Sequence, residues 1–160
     1  MTTPQSTPKR AVTILIVEDS ATQCERLRSI LQKAGYGVVS ATDGDEGLAA
    51  AKAHAVDLVI SDILMPRMDG YGLCKALRTD EKLRHLPVIL LTSITDPLDV
   101  VYGLESGANN FIRKPYEAPA LLARVRSILA NEEIRRTSPS ETGVNVLFAG
   151  QRFFVTADRN

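Results

Sequence analysis

The sequence predicts an α/β domain built on a doubly wound, five-stranded parallel sheet with five helices, followed by a hairpin-like tail. Three observations predict it. Apolar runs of strand length alternate with amphipathic, helix-length segments from residue 11 to about residue 135. The strand-like runs are continuously apolar, as expected of strands covered by helices on both faces. Caps and breakers fall between them at nearly every boundary.

The elements follow in order. "AVTILIV" (11–17) is a β-branched strand, after which Ser20 caps a helix running to about Ala34 and stopped by Gly35. "GVVSA" (37–41) is the second strand, and Asp43 caps a short alanine-rich helix over 45–54. "VDLVIS" (56–61) is the third strand, ending against Asp62. A loop over 62–69 turns on Asp69-Gly70 into a helix over 70–79. "LPVILLTS" (86–93) is the fourth strand, and Asp96-Pro97 opens a helix to about Ser106, with Gly103 inside it and Gly107 as its stop. "NNFIR" (109–113) is the fifth strand, followed by Lys114-Pro115. The last helix, from 117 to about 135, places Leu121, Leu122, Val125, Ile128 and Leu129 on one face.

Outside this span the character changes. Residues 1–10 are polar and contain two prolines, which predicts a disordered leader. After about Thr137, "TSPSETG" reads as a linker and "VNVLFAGQRFFVTADRN" as two strands around a turn near Ala149-Gly150. Some twenty residues are too few for a core of their own. Residues 136–160 are therefore expected to pack as a terminal hairpin, to mediate dimerisation or to begin a further module.

Composition narrows the function classes. With 19 basic and 19 acidic side chains the formal net charge is zero, so no global field favours nucleic acid or an anionic membrane. No transmembrane segment or cleavable leader is legible, and a cytoplasmic location is expected. Cys24 and Cys74 lie in helical patterns without ligand spacing and read as reduced thiols. The glycines at 35, 37, 44 and 47 lack the spacing of a dinucleotide loop. His54 and His85 read as surface residues at a helix end and a loop.

The chemistry gathers at the strand ends. In parallel sheets, ligands bind beyond the carboxyl ends of the strands. There the first strand presents Glu18-Asp19, the third Asp62, the fourth Thr92-Ser93, and the fifth leads to Lys114. Three carboxylates in one crevice oppose one another's ionisation. A hard divalent cation such as Mg²⁺ resolves that conflict, and it prefers a few carboxylates, waters and a phosphate oxygen. A lysine and a hydroxyl opposite complete a phosphate cradle, and one aspartate can then act as a nucleophile that forms an acyl phosphate.

The segments "ILIVEDS", "DILMPRMDG", "VILLTS" and "FIRKP", in this order, resemble the receiver domain of two-component response regulators. Thr92 follows Asp62 by 30 residues and Lys114 follows it by 52. The resemblance covers roughly residues 11–133 and implies a flavodoxin-like strand order 2-1-3-4-5. It implies that Asp62 accepts a phosphoryl group from a phosphohistidine on a sensor histidine kinase or histidine phosphotransfer protein. Asp19 and Asp62 would ligate Mg²⁺, with Glu18 beside them and the Leu64 backbone carbonyl completing the set. Lys114 would pair with phosphoryl oxygens, across a Lys-Pro bond that is usually cis in the family. Thr92 would bond the phosphoryl group, and Phe111 would be the switch aromatic whose movement alters the surface of the fourth helix, fifth strand and fifth helix. Many members carry tyrosine there; Phe111 lacks the outward hydroxyl, which favours its buried position.

Two other readings compete. A haloacid-dehalogenase-type phosphatase needs a second aspartate two residues after its nucleophile, and Leu64 stands there. A receiver-fold interaction domain independent of phosphorylation would not need Glu18, Asp19, Asp62, Thr92 and Lys114 together. The expected protein modifies and restores its own aspartate without turning over an external substrate.

Overall fold

The computed structural model describes residues 11–93, 101, 105–108 and 110–137, with backbone alone for 135–137, 143–148 and 151–156. Five parallel strands, β1 (Thr13–Val17), β2 (Gly37–Ala41), β3 (Leu58–Asp62), β4 (Val88–Thr92) and β5 (Asn110–Arg113), form one sheet in the order β2-β1-β3-β4-β5. The described helices are α1 (Ala21–Lys33), α2 (Gly44–Ala53), α3 (Gly70–Thr79) and α4 (Ala118–Thr137). The helix expected over 96–106 lies largely outside the described residues. So do the leader, the 138–142 part of the linker and the 149–150 turn.

Strand side chains point alternately to opposite faces, and the core divides accordingly. Ile14, Ile16, Leu58, Ile60, Ile89, Leu91 and Ile112 face α1 through Leu27 and Leu31, and α4 through Leu121, Val125 and Ile128. Their neighbours Leu15, Val17, Val59, Val88 and Leu90 face Ala51 of α2 and Leu73, Cys74 and Leu77 of α3. The sheet is thus doubly wound. Each buried Leu or Ile contributes about 1.5–3 kcal/mol of transfer free energy. These two apolar layers hold the strand ends in fixed positions.

The boundaries shift for identifiable reasons. β4 starts at Val88 rather than residue 86, because Pro87 has no N–H for the ladder and offers only its carbonyl, to the Val59 amide at 3.0 Å. β3 starts at Leu58 rather than residue 56, since Asp57 turns its carboxylate to the Thr13 amide at 2.9 Å. α2 begins at Gly44, one residue early, with the Asp43 carboxylate accepting from the Glu46 amide at 2.8 Å. Gly35 has φ +96° and Gly107 has φ +94°, left-handed conformations in which glycine avoids the Cβ clash. His54 and His85 are exposed, Cys74 is buried and Cys24 is half-buried.

The tail forms two antiparallel strands, β6 (Gly143–Phe148) and β7 (Gln151–Thr156), in a sheet separate from the first. Among the described residues, no helix is long and apolar enough to cross a membrane.

Candidate functional site

The strand register converges the predicted residues. β1 and β3 are neighbours, with Val17 opposite Ser61, so the next residues along each strand, Glu18 and Asp62, leave the sheet side by side. Asp62 pairs in register with Leu91, which sets Thr92 one step further on β4. Thr92 pairs with Arg113, and the Lys114 amide donates to the Thr92 carbonyl at 2.8 Å, tying the lysine to the end of β4. The Lys114–Pro115 peptide is cis.

Ligand oxygens of Glu18, Asp19 and Asp62 lie within 4.8 Å of one another. Lys114 Nζ stands 3.2 Å from Asp62 Oδ1 and 3.4 Å from Glu18 Oε2. Glu18 is 3% exposed. Burial pushes its carboxyl above the ordinary range, the Ser20 amide pulls it back, Asp62 raises it again and Lys114 lowers it. That conflict is the electrostatic signature of a site short of positive charge. Clustered carboxylate oxygens fit a hard divalent cation, and Asp19, exposed at the mouth, is open to one. The Leu64 side chain is 65% exposed, so any contribution it makes to the site is through its backbone.

The loop after Asp62 is fixed by contacts the sequence reading missed. The Ile63 amide donates to Asp62 Oδ1 at 3.0 Å, and the Gly70 amide donates to the Ile63 carbonyl at 2.9 Å. A Cβ on Gly70 would sit 2.5 Å from the Asp62 carbonyl oxygen, so only glycine lets α3 start this close to the site. The Gly44 amide donates to the Met68 carbonyl at 3.1 Å, and a Cβ there would lie 2.5 Å from the same oxygen. Arg67 takes φ 65°, with its guanidinium 3.6 Å from Asp43. The one local signal is Asp69-Gly70, which does cap α3: Asp69 accepts from the Gly72 amide at 2.8 Å.

Thr92 and Phe111, the pair to which the resemblance assigns a switch, lie at the end of β4 and within β5. Thr92 is 8% exposed. Phe111 is half-buried against the core layer that includes Leu90 and Ala108. On the opposite face, Arg124 of α4 donates to the Phe111 carbonyl at 3.4 Å and also bonds the Asn110 side chain.

Residues 14–126 match the family described as the response regulator receiver domain. Among curated relatives, the probable transcriptional regulator ycf27 of Cyanidium caldarium is 39% identical over 79% of this chain and 50% of its own length. Response regulator PleD of Caulobacter vibrioides is 37% identical over 84% of this chain and 30% of its own. The chain thus spans about half the length, or less, of these relatives. Among solved structures, the signal receiver domain of a signal transduction histidine kinase from Syntrophus aciditrophicus shares 45% identity at a TM-score of 0.73, over 82% of this chain and 98% of that one. Chemotaxis response regulator CheY4 of Vibrio cholerae shares 34% identity at 0.71, over 74% and 99%. With a family match across most of its length, a shared strand order and the acidic crevice at the strand ends, this chain belongs to the response regulator receiver domains.

Proposed function

We propose that Asp62 is the phosphoacceptor of a two-component phosphorelay and that the remaining crevice residues serve its modification. The observation that carries this reading is the Lys114 ammonium shared between half-buried Asp62 and the buried carboxylate of Glu18. Response regulator receivers interact with histidine kinases or phosphotransfer proteins, and the donor here is a phosphohistidine on such a partner. Asp62 Oδ1 is engaged by the Ile63 amide and Lys114, which leaves Oδ2 as the attacking oxygen. Oδ2 bonds to phosphorus as the P–N bond breaks, and the imidazole departs with its electron pair and is reprotonated from water. Lys114 meets charge on the transferring phosphoryl oxygens, and the Thr92 hydroxyl donates to one of them.

Glu18, Asp19, Asp62 and the Leu64 carbonyl would hold Mg²⁺, which supplies positive charge against the carboxylates and the incoming phosphoryl group. The modified aspartate carries a charge of about −1.5 to −2 and new acceptor oxygens. Drawing Thr92 toward them opens room for Phe111 to turn inward, and this changes the surface around β5. A shift of a few kcal/mol suffices to invert two such states. The same crevice admits water for self-dephosphorylation; the chain turns over no other substrate. The tail, β6 and β7, leads into a further module, in keeping with the greater length of the relatives. A reading frame ending at Asn160 would exclude that last point.

The test is intact mass after incubation with Mg²⁺ and a small phosphodonor. The expected gain is one phosphoryl group, absent with chelator and absent in Asp62→Asn. An unchanged wild-type mass with several donors would favour the phosphorylation-independent interaction domain.

A further inference from the structure

The start of α1 carries a capping motif of which half is put to another use. Ser20-Ala21-Thr22-Gln23 has the spacing in which a serine hydroxyl takes the third amide of the helix and the glutamine reaches back to the serine amide. The first arm forms: Ser20 Oγ accepts from the Gln23 amide at 3.3 Å. The return arm does not. The Ser20 amide donates instead to Glu18 Oε1 at 3.1 Å, and Gln23 Oε1 accepts from Lys114 Nζ at 2.8 Å.

That contact is the shortest of the three that Lys114 Nζ makes among the described residues, the others being to Asp62 at 3.2 Å and Glu18 at 3.4 Å. An ammonium has three donors and no acceptor, so three oxygens on three elements satisfy it. Two of them are charged and lie inside the crevice; Gln23 is neutral and exposed. Without Gln23, the two carboxylates would draw the ammonium inward, toward buried Glu18. One turn along α1, Arg26 holds the same loop: its guanidinium lies 5.5 Å from the Tyr116 ring centroid, and Nη2 donates to the Tyr116 carbonyl at 3.5 Å.

We propose that Gln23 is a positioning residue for Lys114, holding the ammonium at the mouth of the crevice beside Asp62, where phosphoryl oxygens arrive. This rests on the reading of Lys114 as the phosphoryl-binding cation. A neutral acceptor suits the task, because a fourth carboxylate would repel an anionic phosphodonor. An amide oxygen also releases the ammonium to a phosphoryl group more readily than a carboxylate does.

Gln23→Leu keeps bulk and helix propensity while removing the acceptor. With Mg²⁺ and phosphoramidate, its rate of phosphorylation should fall about three- to ten-fold, the scale of one hydrogen bond to a charged group. Its melting temperature in chelator should be unchanged, and in a Lys114→Met background the substitution should leave the residual rate unaltered. Equal falls in both backgrounds, or a lower melting temperature with an unchanged rate, would overturn the proposal. A second measurement needs no phosphorylation: the Lys114 ammonium protons, followed by ¹⁵N NMR, should exchange faster with water in Gln23→Leu. Unchanged exchange would also overturn it. If the wild type takes up no phosphoryl group, the phosphoacceptor reading fails, while the exchange measurement still decides the Gln23–Lys114 contact.

Discussion

Strand β3 has an aspartate at each end, and the two live in opposite circumstances. Asp57, just before the strand, accepts the Thr13 amide at 2.9 Å and helps align β1 with β3. Asp62, its last residue, faces Glu18 and Asp19 and shares one lysine with Glu18. Both are half-buried. At the amino edge the carboxylate answers a backbone donor and the fold gains. At the carboxyl edge like charges are crowded together at a cost that burial and helix packing elsewhere must offset. The stabilising end of the strand and the end proposed to react should therefore be separable by mutation.

The largest separation is expected from Asp62→Asn. It should abolish phosphoryl uptake, read by intact mass, while the melting temperature in chelator stays level or rises, because a like-charge repulsion is removed. A lower melting temperature would mean that Asp62 supports the fold. Next in size is Lys114→Met, which should slow phosphorylation on the order of a hundred-fold, the scale of losing one charged donor at a transition state. Stopped time courses with a small phosphodonor would measure this.

Gly70→Ala probes the junction between the two regimes. Its new Cβ meets the Asp62 carbonyl oxygen at 2.5 Å, so the loop or α3 must shift. A loss of about 1–3 kcal/mol in denaturant unfolding should accompany slower phosphorylation. Asp57→Ala should cost about 1 kcal/mol and leave the phosphorylation rate unchanged.

The smallest effect concerns Glu18. Burial raises its carboxyl above the ordinary value. A carboxyl whose folded value is raised contributes stability at low pH, and that contribution is lost as pH rises through the folded value. In chelator, Glu18→Gln should therefore raise the melting temperature at pH above the raised folded value, with the gain vanishing as pH falls below the ordinary carboxylate value. The same variant should bind Mg²⁺ more weakly by calorimetry.

Most of this molecule was legible before its coordinates. The two-layer core follows from apolar runs whose alternate residues feed opposite faces, and the ends of β1, β3 and β5 bring Glu18, Asp19, Asp62 and Lys114 together because parallel strands terminate on one edge. What escaped was set by three-dimensional approach rather than local pattern. Ser20-Ala21-Thr22-Gln23 reads as a reciprocal cap, and only the proximity of Glu18 to the Ser20 amide frees Gln23 for Lys114. The requirement for glycine at 44 comes from the Met68 carbonyl, 24 residues along the chain. The Arg67–Asp43 pair bridges two loops that no periodicity connects.

The most direct test of the contrast between the two aspartates is chemical mapping of the acyl phosphate. Borohydride reduces an aspartyl phosphate to homoserine, and trypsin would release residues 53–67, a peptide carrying both Asp57 and Asp62. After phosphorylation with Mg²⁺ and phosphoramidate, fragmentation should place homoserine at position 62 and leave Asp57 intact. Homoserine at position 57, or in a different peptide while position 62 remains aspartate, would contradict the assignment of Asp62 as the residue this domain modifies.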